Sequence, residues 1–115
     1  MQAIIRFIPS DRGGRRTGPP NAEGYSTPAR FESDPEHKLG MWSIRLWNTS
    51  QLHGPECIKA DVTFLNPDDA PSELLQVGHR FVMLEGLRVV AQGVFVPNEL
   101  AVPAEVTEFE LALLG

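Results

Sequence analysis

Arg80-Phe81-Val82-Met83-Leu84-Glu85-Gly86-Leu87-Arg88-Val89-Val90-Ala91-Gln92-Gly93-Val94 is the stretch on which the fold of this chain turns. Two apolar, β-branched runs, Arg80 to Leu84 and Leu87 to Val96, are separated by little more than Glu85-Gly86. That is the signature of two antiparallel strands joined by a tight hairpin, because glycine supplies backbone angles that such turns require. Upstream, Ile58 to Leu65 sets Ile58, Ala60, Val62 and Phe64 on one face and Lys59, Asp61 and Thr63 on the other, the period of a half-buried strand. Asn66-Pro67-Asp68-Asp69-Ala70-Pro71 breaks that strand, and Leu74 and Leu75 lead to a turn at Gly78. In Met41 to Trp47, Trp42, Ile44 and Leu46 alternate with Ser43 and Arg45 in the same way. Ala3 to Ile8 is a further strand, with Arg6 interrupting one face and Pro9 ending it.

Two segments read as irregular. Ser10 to Thr27 is a loop by its glycines, prolines and asparagine, and a loop this long inside a small domain is often functional. Glu32 to Gly40 is also turn-rich. Pro103 to Leu114 fits either a short helix or an edge strand. Five or six short strands with turns between them, and no long run of helical period, predict an all-β antiparallel barrel or sandwich.

Composition agrees with one such domain. The chain has 115 residues, 42% hydrophobic and 22% charged, with ten prolines and ten glycines, which suit short strands and turns better than helices. Cys57 is the single cysteine, so no disulfide can form within the chain, and a small, partly buried apolar role is expected of it. No stretch approaches the ~20 apolar residues of a membrane span, and the N-terminus lacks a basic region followed by an apolar run. The expected location is the cytoplasm, with no membrane partner. Charge is unevenly spread within the net −5: residues 1–30 hold five arginines against two acids, while residues 97–115 hold four glutamates and no cation. This predicts an anion-facing N-terminal patch and an acidic C-terminal extension.

Few motifs carry chemistry. There is no G-x-x-x-x-G-K-[ST], so no nucleotide is expected. His37, His53 and His79 lie far apart with no metal-ligand spacing, and no metal or cofactor is expected. Asp34-x-Glu36 and Asp68-Asp69 read as acceptors for turn amides. Ser43, Ser72 and Cys57 have no nucleophile context, so no catalytic residue is assigned and the chain reads as a non-enzyme. One motif stands out, Asp11-Arg12-Gly13-Gly14-Arg15-Arg16-Thr17, in which two glycines free the backbone and adjacent arginines present donors suited to phosphate or carboxylate oxygens.

Two blocks of this sequence resemble the C-terminal β-barrel, the third domain, of translation elongation factor Tu. The first runs from Gly13-Gly14-Arg15-Arg16-Thr17 through Tyr25 and Pro28 to Phe31, similar to the family's Gly-Gly-Arg-His-Thr loop and Tyr-Arg-Pro-Gln-Phe. The second comprises Val62-Thr63-Phe64-Leu65-x-Pro67 and the Arg80 to Val94 run, where the family has a Glu-Gly-Gly-Arg turn between its closing strands. The resemblance implies a six-stranded antiparallel Greek-key barrel over residues 1–96, followed by an acidic extension over 97–115, packed on the barrel or trailing from it. In the family this barrel helps to hold the T-stem of aminoacyl-tRNA and contacts protein partners. Carried over, it marks Arg15, Arg16 and Thr17 as binding residues, with Arg12 and Arg30 added by charge, and Gly13, Gly14, Glu85, Gly86 and Arg88 as turn-forming residues. Tyr25-Ser26-Thr27-Pro28-Ala29 departs from the family pattern by losing an arginine and a glutamine. The function expected is a stand-alone, non-catalytic binding module for a protein partner, as an adaptor or decoy in translation. The alternatives are an RNA or tRNA-stem binder working through the Gly-Gly-Arg-Arg-Thr loop, and a small-molecule enzyme. A negative overall charge weighs against tight RNA binding, which draws on cations that neutralise phosphates.

Overall fold

A computed structural model describes residues 1–17, 20–53 and 56–98. Six strands form: β1 (Gln2–Phe7), β2 (Ser26–Phe31), β3 (Trp42–His53), β4 (Cys57–Phe64), β5 (Arg80–Glu85) and β6 (Arg88–Val96). They close into one barrel in the order β1-β4-β3-β2-β5-β6, and every neighbouring pair is antiparallel. Because β2, β3 and β4 are sequential neighbours and β1 lies beside β4, the topology is a Greek key. Closure leaves no strand edge unpaired, which answers the edge problem without a helix. Among the described residues the short 3-10 turns are Ser10–Arg12 and Ser72–Leu74. The expected C-terminal extension, and the choice between helix and strand over 103–114, fall outside the described residues apart from 97 and 98.

The alternation read from the sequence is the alternation of the barrel wall. Ala3, Ile5 and Phe7 of β1, Ile44 and Leu46 of β3, and Ile58, Ala60 and Val62 of β4 all enter one interior cluster, with Phe64 and Trp42 packed against it. The rings of Phe81 and Phe95 stack at 4.5 Å inside, and those of Phe31 and Phe95 at 6.5 Å. Each large side chain so enclosed contributes roughly 1.5–3 kcal/mol relative to exposure. Leu74 plugs the barrel from the second 3-10 turn and is 1% exposed. Gly93 faces inward directly opposite Phe81, and a Cβ there would lie 2.2 Å from Phe81 Cζ, so the ring needs this glycine.

Two strands differ from the sequence reading. β2 begins at Ser26, two residues inside the segment expected to be loop. Pro28 within it argues against a central strand, since it cannot donate to a ladder. The structure accommodates it because pairing with β5 starts only at Ala29, while Pro28 itself faces Ser43 of β3. β3 continues to His53, beyond the expected end at Trp47, through a bulge between Trp47 and Ser50. Asn48 takes a φ of 51° at that bulge. The Glu23 carboxylate accepts from the Asn48 and Thr49 amides at 3.1 and 3.0 Å, and Asn48 Nδ2 donates to Asp61 at 2.7 Å. A bulge leaves amides without ladder partners, and here a loop carboxylate takes them.

The tight hairpin forms as expected. Glu85 pairs with Arg88 across a two-residue loop, Gly86-Leu87, with φ of 63° at Gly86, the position where a type II′ turn carries glycine. Asp34 fulfils the expected turn role, accepting from the Lys38 and Leu39 amides at 2.9 and 2.8 Å.

Candidate functional site

Three segments meet at one end of the barrel: the chain after β1, the start of β2, and the β5–β6 hairpin. After Pro9 the chain makes a single 3-10 turn, in which the Arg12 and Gly14 amides both donate to the Pro9 carbonyl at 3.0 Å. Gly13 ends it in the left-handed region, with φ of 92°. Gly14 is then pressed so closely on the backbone that a Cβ would sit 1.8 Å from the Ile8 carbonyl oxygen. The two glycines therefore have different jobs. Gly13 supplies an angle, and Gly14 supplies room.

From Gly14 onward the loop is tied to the hairpin. Arg88 Nη1 donates to the Gly14 carbonyl at 2.9 Å. Arg15 Nε lies 2.8 Å from Glu85 Oε2, and its guanidinium sits 5.6 Å from the centre of the Tyr25 ring. Tyr25 Oη donates to the same Glu85 oxygen. Partial burial, then the hydrogen bond to Glu85 and the Glu85 charge, raise the Tyr25 pKa well above its ordinary 10.0, so the phenol stays protonated and donating. Phe7 meets Tyr25 edge-on at 6.0 Å, joining this cluster to the core.

Arg15, Arg16, Thr17, Glu85 and Arg88 line a concavity of about 450 Å³. Three arginines against one glutamate leave it a net charge of +2. Arg16 and Thr17 are exposed at its rim, whereas Arg15 is committed to Glu85 and Tyr25. A planar guanidinium held in place by an aromatic face and a carboxylate is preorganised to receive an oxyanion.

The structure thus brings together Arg15, Arg16, Thr17, Glu85 and Arg88 from the residues singled out in the sequence, with Gly13 and Gly14 shaping the loop and Gly86 the hairpin. Arg12 is exposed on the 3-10 turn and does not line the concavity. Arg30 lies elsewhere, on the outer face of β2, in a second concavity of about 280 Å³ shared with Glu32, Pro35, Arg80, Val82 and Gln92. There Arg80 Nε donates to Glu32 at 3.1 Å, and that bond holds the Glu32 carboxyl below its ordinary pKa. Glu85 and Arg88, expected to hold their own turn, pair in register and also grip the arginine loop. Tyr25 is the contributor the residue-level reading missed. Nothing in Gly24-Tyr25-Ser26 shows that its hydroxyl meets a carboxylate sixty residues away.

The other residues weighed have structural surroundings. Trp42 packs on Phe64 at 5.9 Å and donates to the Leu39 carbonyl, while Trp47 donates to Thr63 and carries Arg45 over its ring at 4.9 Å. Cys57 is buried. Among the described residues no three His, Cys, Asp or Glu side chains gather as a metal site would need, and no helix is long and apolar enough to cross a membrane. Compared with known protein families, with characterised proteins and with solved structures, the chain matches none.

Proposed function

We propose that this protein is a non-catalytic binding module whose arginine-walled concavity receives an anionic group of a protein partner. The observation that carries this reading is the clamped loop: Arg88 holds Gly14, and Glu85 holds Arg15, so that Arg16 and Thr17 stand exposed on a fixed frame. The concavity is walled by three arginines, a threonine and one glutamate, and its net positive charge suits an oxyanion. A carboxylate on a protein surface fits a site of this size and charge better than an RNA stem does. Residues 1–98 hold ten cations against eleven acids, and a basic tract able to follow a phosphate backbone needs a larger local excess. On this reading the barrel is related to the C-terminal barrel of elongation factor Tu, and the partner belongs to translation.

The test is a titration of the full chain with an acidic peptide and, separately, with a short RNA stem-loop, each followed by fluorescence anisotropy. The acidic peptide binds the wild type, and Arg16→Ala weakens it by roughly tenfold, the loss expected for one charge-assisted contact. Preference for the RNA, with affinity that survives moderate salt, would overturn the protein-partner reading.

A further inference from the structure

Alternate residues of a strand face opposite sides, so the burial of Phe31, Phe81, Met83 and Ala91 turns the residues between them outward. Arg30 of β2, Val82 of β5 and Gln92 of β6 then stand side by side on the outer wall, paired in register. Val82 is apolar and half-buried between two exposed polar side chains. Glu32 and Arg80 lie on the same face, and Pro35 joins them from the turn after β2. These six residues line the second concavity, of about 280 Å³. Its rim is fixed by bonds made elsewhere. The buried Asp34 carboxylate holds the turn that carries Pro35, and the Glu32 amide donates to the Arg80 carbonyl at 2.8 Å. Arg80 is aimed by its bond to Glu32, which takes Nε and leaves both Nη groups without a partner among the described residues. Arg30 has no ion-pair or hydrogen-bond partner among the described residues either.

We propose that this concavity is a second binding site, one that takes a small organic monocarboxylate with a compact apolar body. Charge sets the anion: two arginines against one glutamate leave a net +1, which a single carboxylate neutralises. Arg30 offers a planar fork of donors to such a group, and the Gln92 amide supplies a further donor across the row. Val82 and Pro35 give the rest of the ligand an apolar surface, where concave sites combine such surfaces with a few placed polar groups. Size limits the body. A cavity of about 150 Å³ holds benzene, so this concavity has room for one ring and a carboxylate. An inorganic phosphate dianion would bring one charge too many and would leave the apolar surface unused. The site is separate from the arginine concavity, with which it shares no lining residue. β5 begins with Arg80 beside the one and ends with Glu85 beside the other.

The test is a titration of the full, nitrogen-15-labelled chain with phenylacetate, read from its amide resonances. Phenylacetamide serves as the neutral counterpart, and acetate as the anion without an apolar body. Phenylacetate shifts the amides of Val82, Gln92 and Gly93 saturably, with a Kd on the order of 1 mM, the strength that about ten heavy atoms supply in a small site. Phenylacetamide binds about tenfold more weakly, and acetate does not saturate. Arg30→Ala, a change at an exposed position, weakens phenylacetate about tenfold, as expected for one charge-assisted contact. Absence of saturation by phenylacetate, or equal binding of phenylacetamide, would overturn the proposal. So would unchanged affinity in Arg30→Ala, or shifts gathered at Gly14, Arg15 and Glu85, which would put the ligand in the arginine concavity.

Discussion

Arg88 and Gly14, seventy-four residues apart, are joined by a 2.9 Å hydrogen bond from the guanidinium to the glycine carbonyl. This bond fastens the arginine loop to the β5–β6 hairpin and is independent of the Arg15–Glu85 pair beside it. Two separate ties therefore fix the same few residues, which explains how a glycine-rich loop can present Arg16 from a defined position.

Replacing Arg88 by Ala removes one tie and costs about 1–2 kcal/mol, the scale of a hydrogen bond from a charged donor. The loss is local: amide hydrogen exchange accelerates at Gly14 and Arg15, while the amides of β1 and β4 keep their protection. Uniform loss of protection across the barrel would show that Arg88 supports the whole fold.

The two glycines of the loop separate in their tolerance. Gly13→Ala meets open space and bears only the left-handed backbone, about 1–2 kcal/mol. Gly14→Ala drives a methyl into the Ile8 backbone and costs roughly 3 kcal/mol or more, because carbonyls cannot rotate aside as a flexible side chain can. Urea unfolding of both variants measures the difference, and equal midpoints would refute this division of labour.

Gly93→Ala brings a Cβ onto the Phe81 ring, which is already stacked on Phe95. The expected cost is about 1–3 kcal/mol of overpacking strain. Phe81→Leu alone also destabilises, but the two changes together cost less than their sum, since the smaller side chain makes room for the added methyl. A double-mutant cycle with no coupling energy would place the strain elsewhere.

Glu23 and Tyr25 make stability depend on pH with opposite signs, and Glu32, lowered by its bond from Arg80, acts in the same sense as Glu23. Hydrogen bonds from the Thr49 and Asn48 amides depress the folded-state pKa of Glu23, so its stabilisation is present above its ordinary 4.5 and is lost as pH falls below that. Burial, chiefly, raises the pKa of Tyr25, so its contribution is present below its ordinary 10.0 and declines as pH rises past that value. Glu23→Gln flattens the acid limb of the stability curve, and Tyr25→Phe flattens the alkaline limb. Chemical denaturation across pH checks both, and an unchanged limb in either variant counts against that group.

The sequence by itself determined the strands whose side chains alternate. Ile58 to Phe64 and Trp42 to Leu46 sort their residues between interior and exterior by a period that each strand carries alone, and the Glu85-Gly86 turn fixes its own hairpin. The arginine loop could also be picked out, because Gly13-Gly14-Arg15-Arg16 is unusual wherever it lies. Only the tertiary structure decided that Pro28 sits within β2, that β3 runs on past its bulge, and that Arg30 faces a different concavity from Arg16. It alone put Tyr25 and Arg15 on Glu85, and Arg88 on Gly14. Alternation is a property of a few consecutive residues. The site depends on which strand ends meet when the barrel closes, and closure brings together residues sixty to seventy-four positions apart.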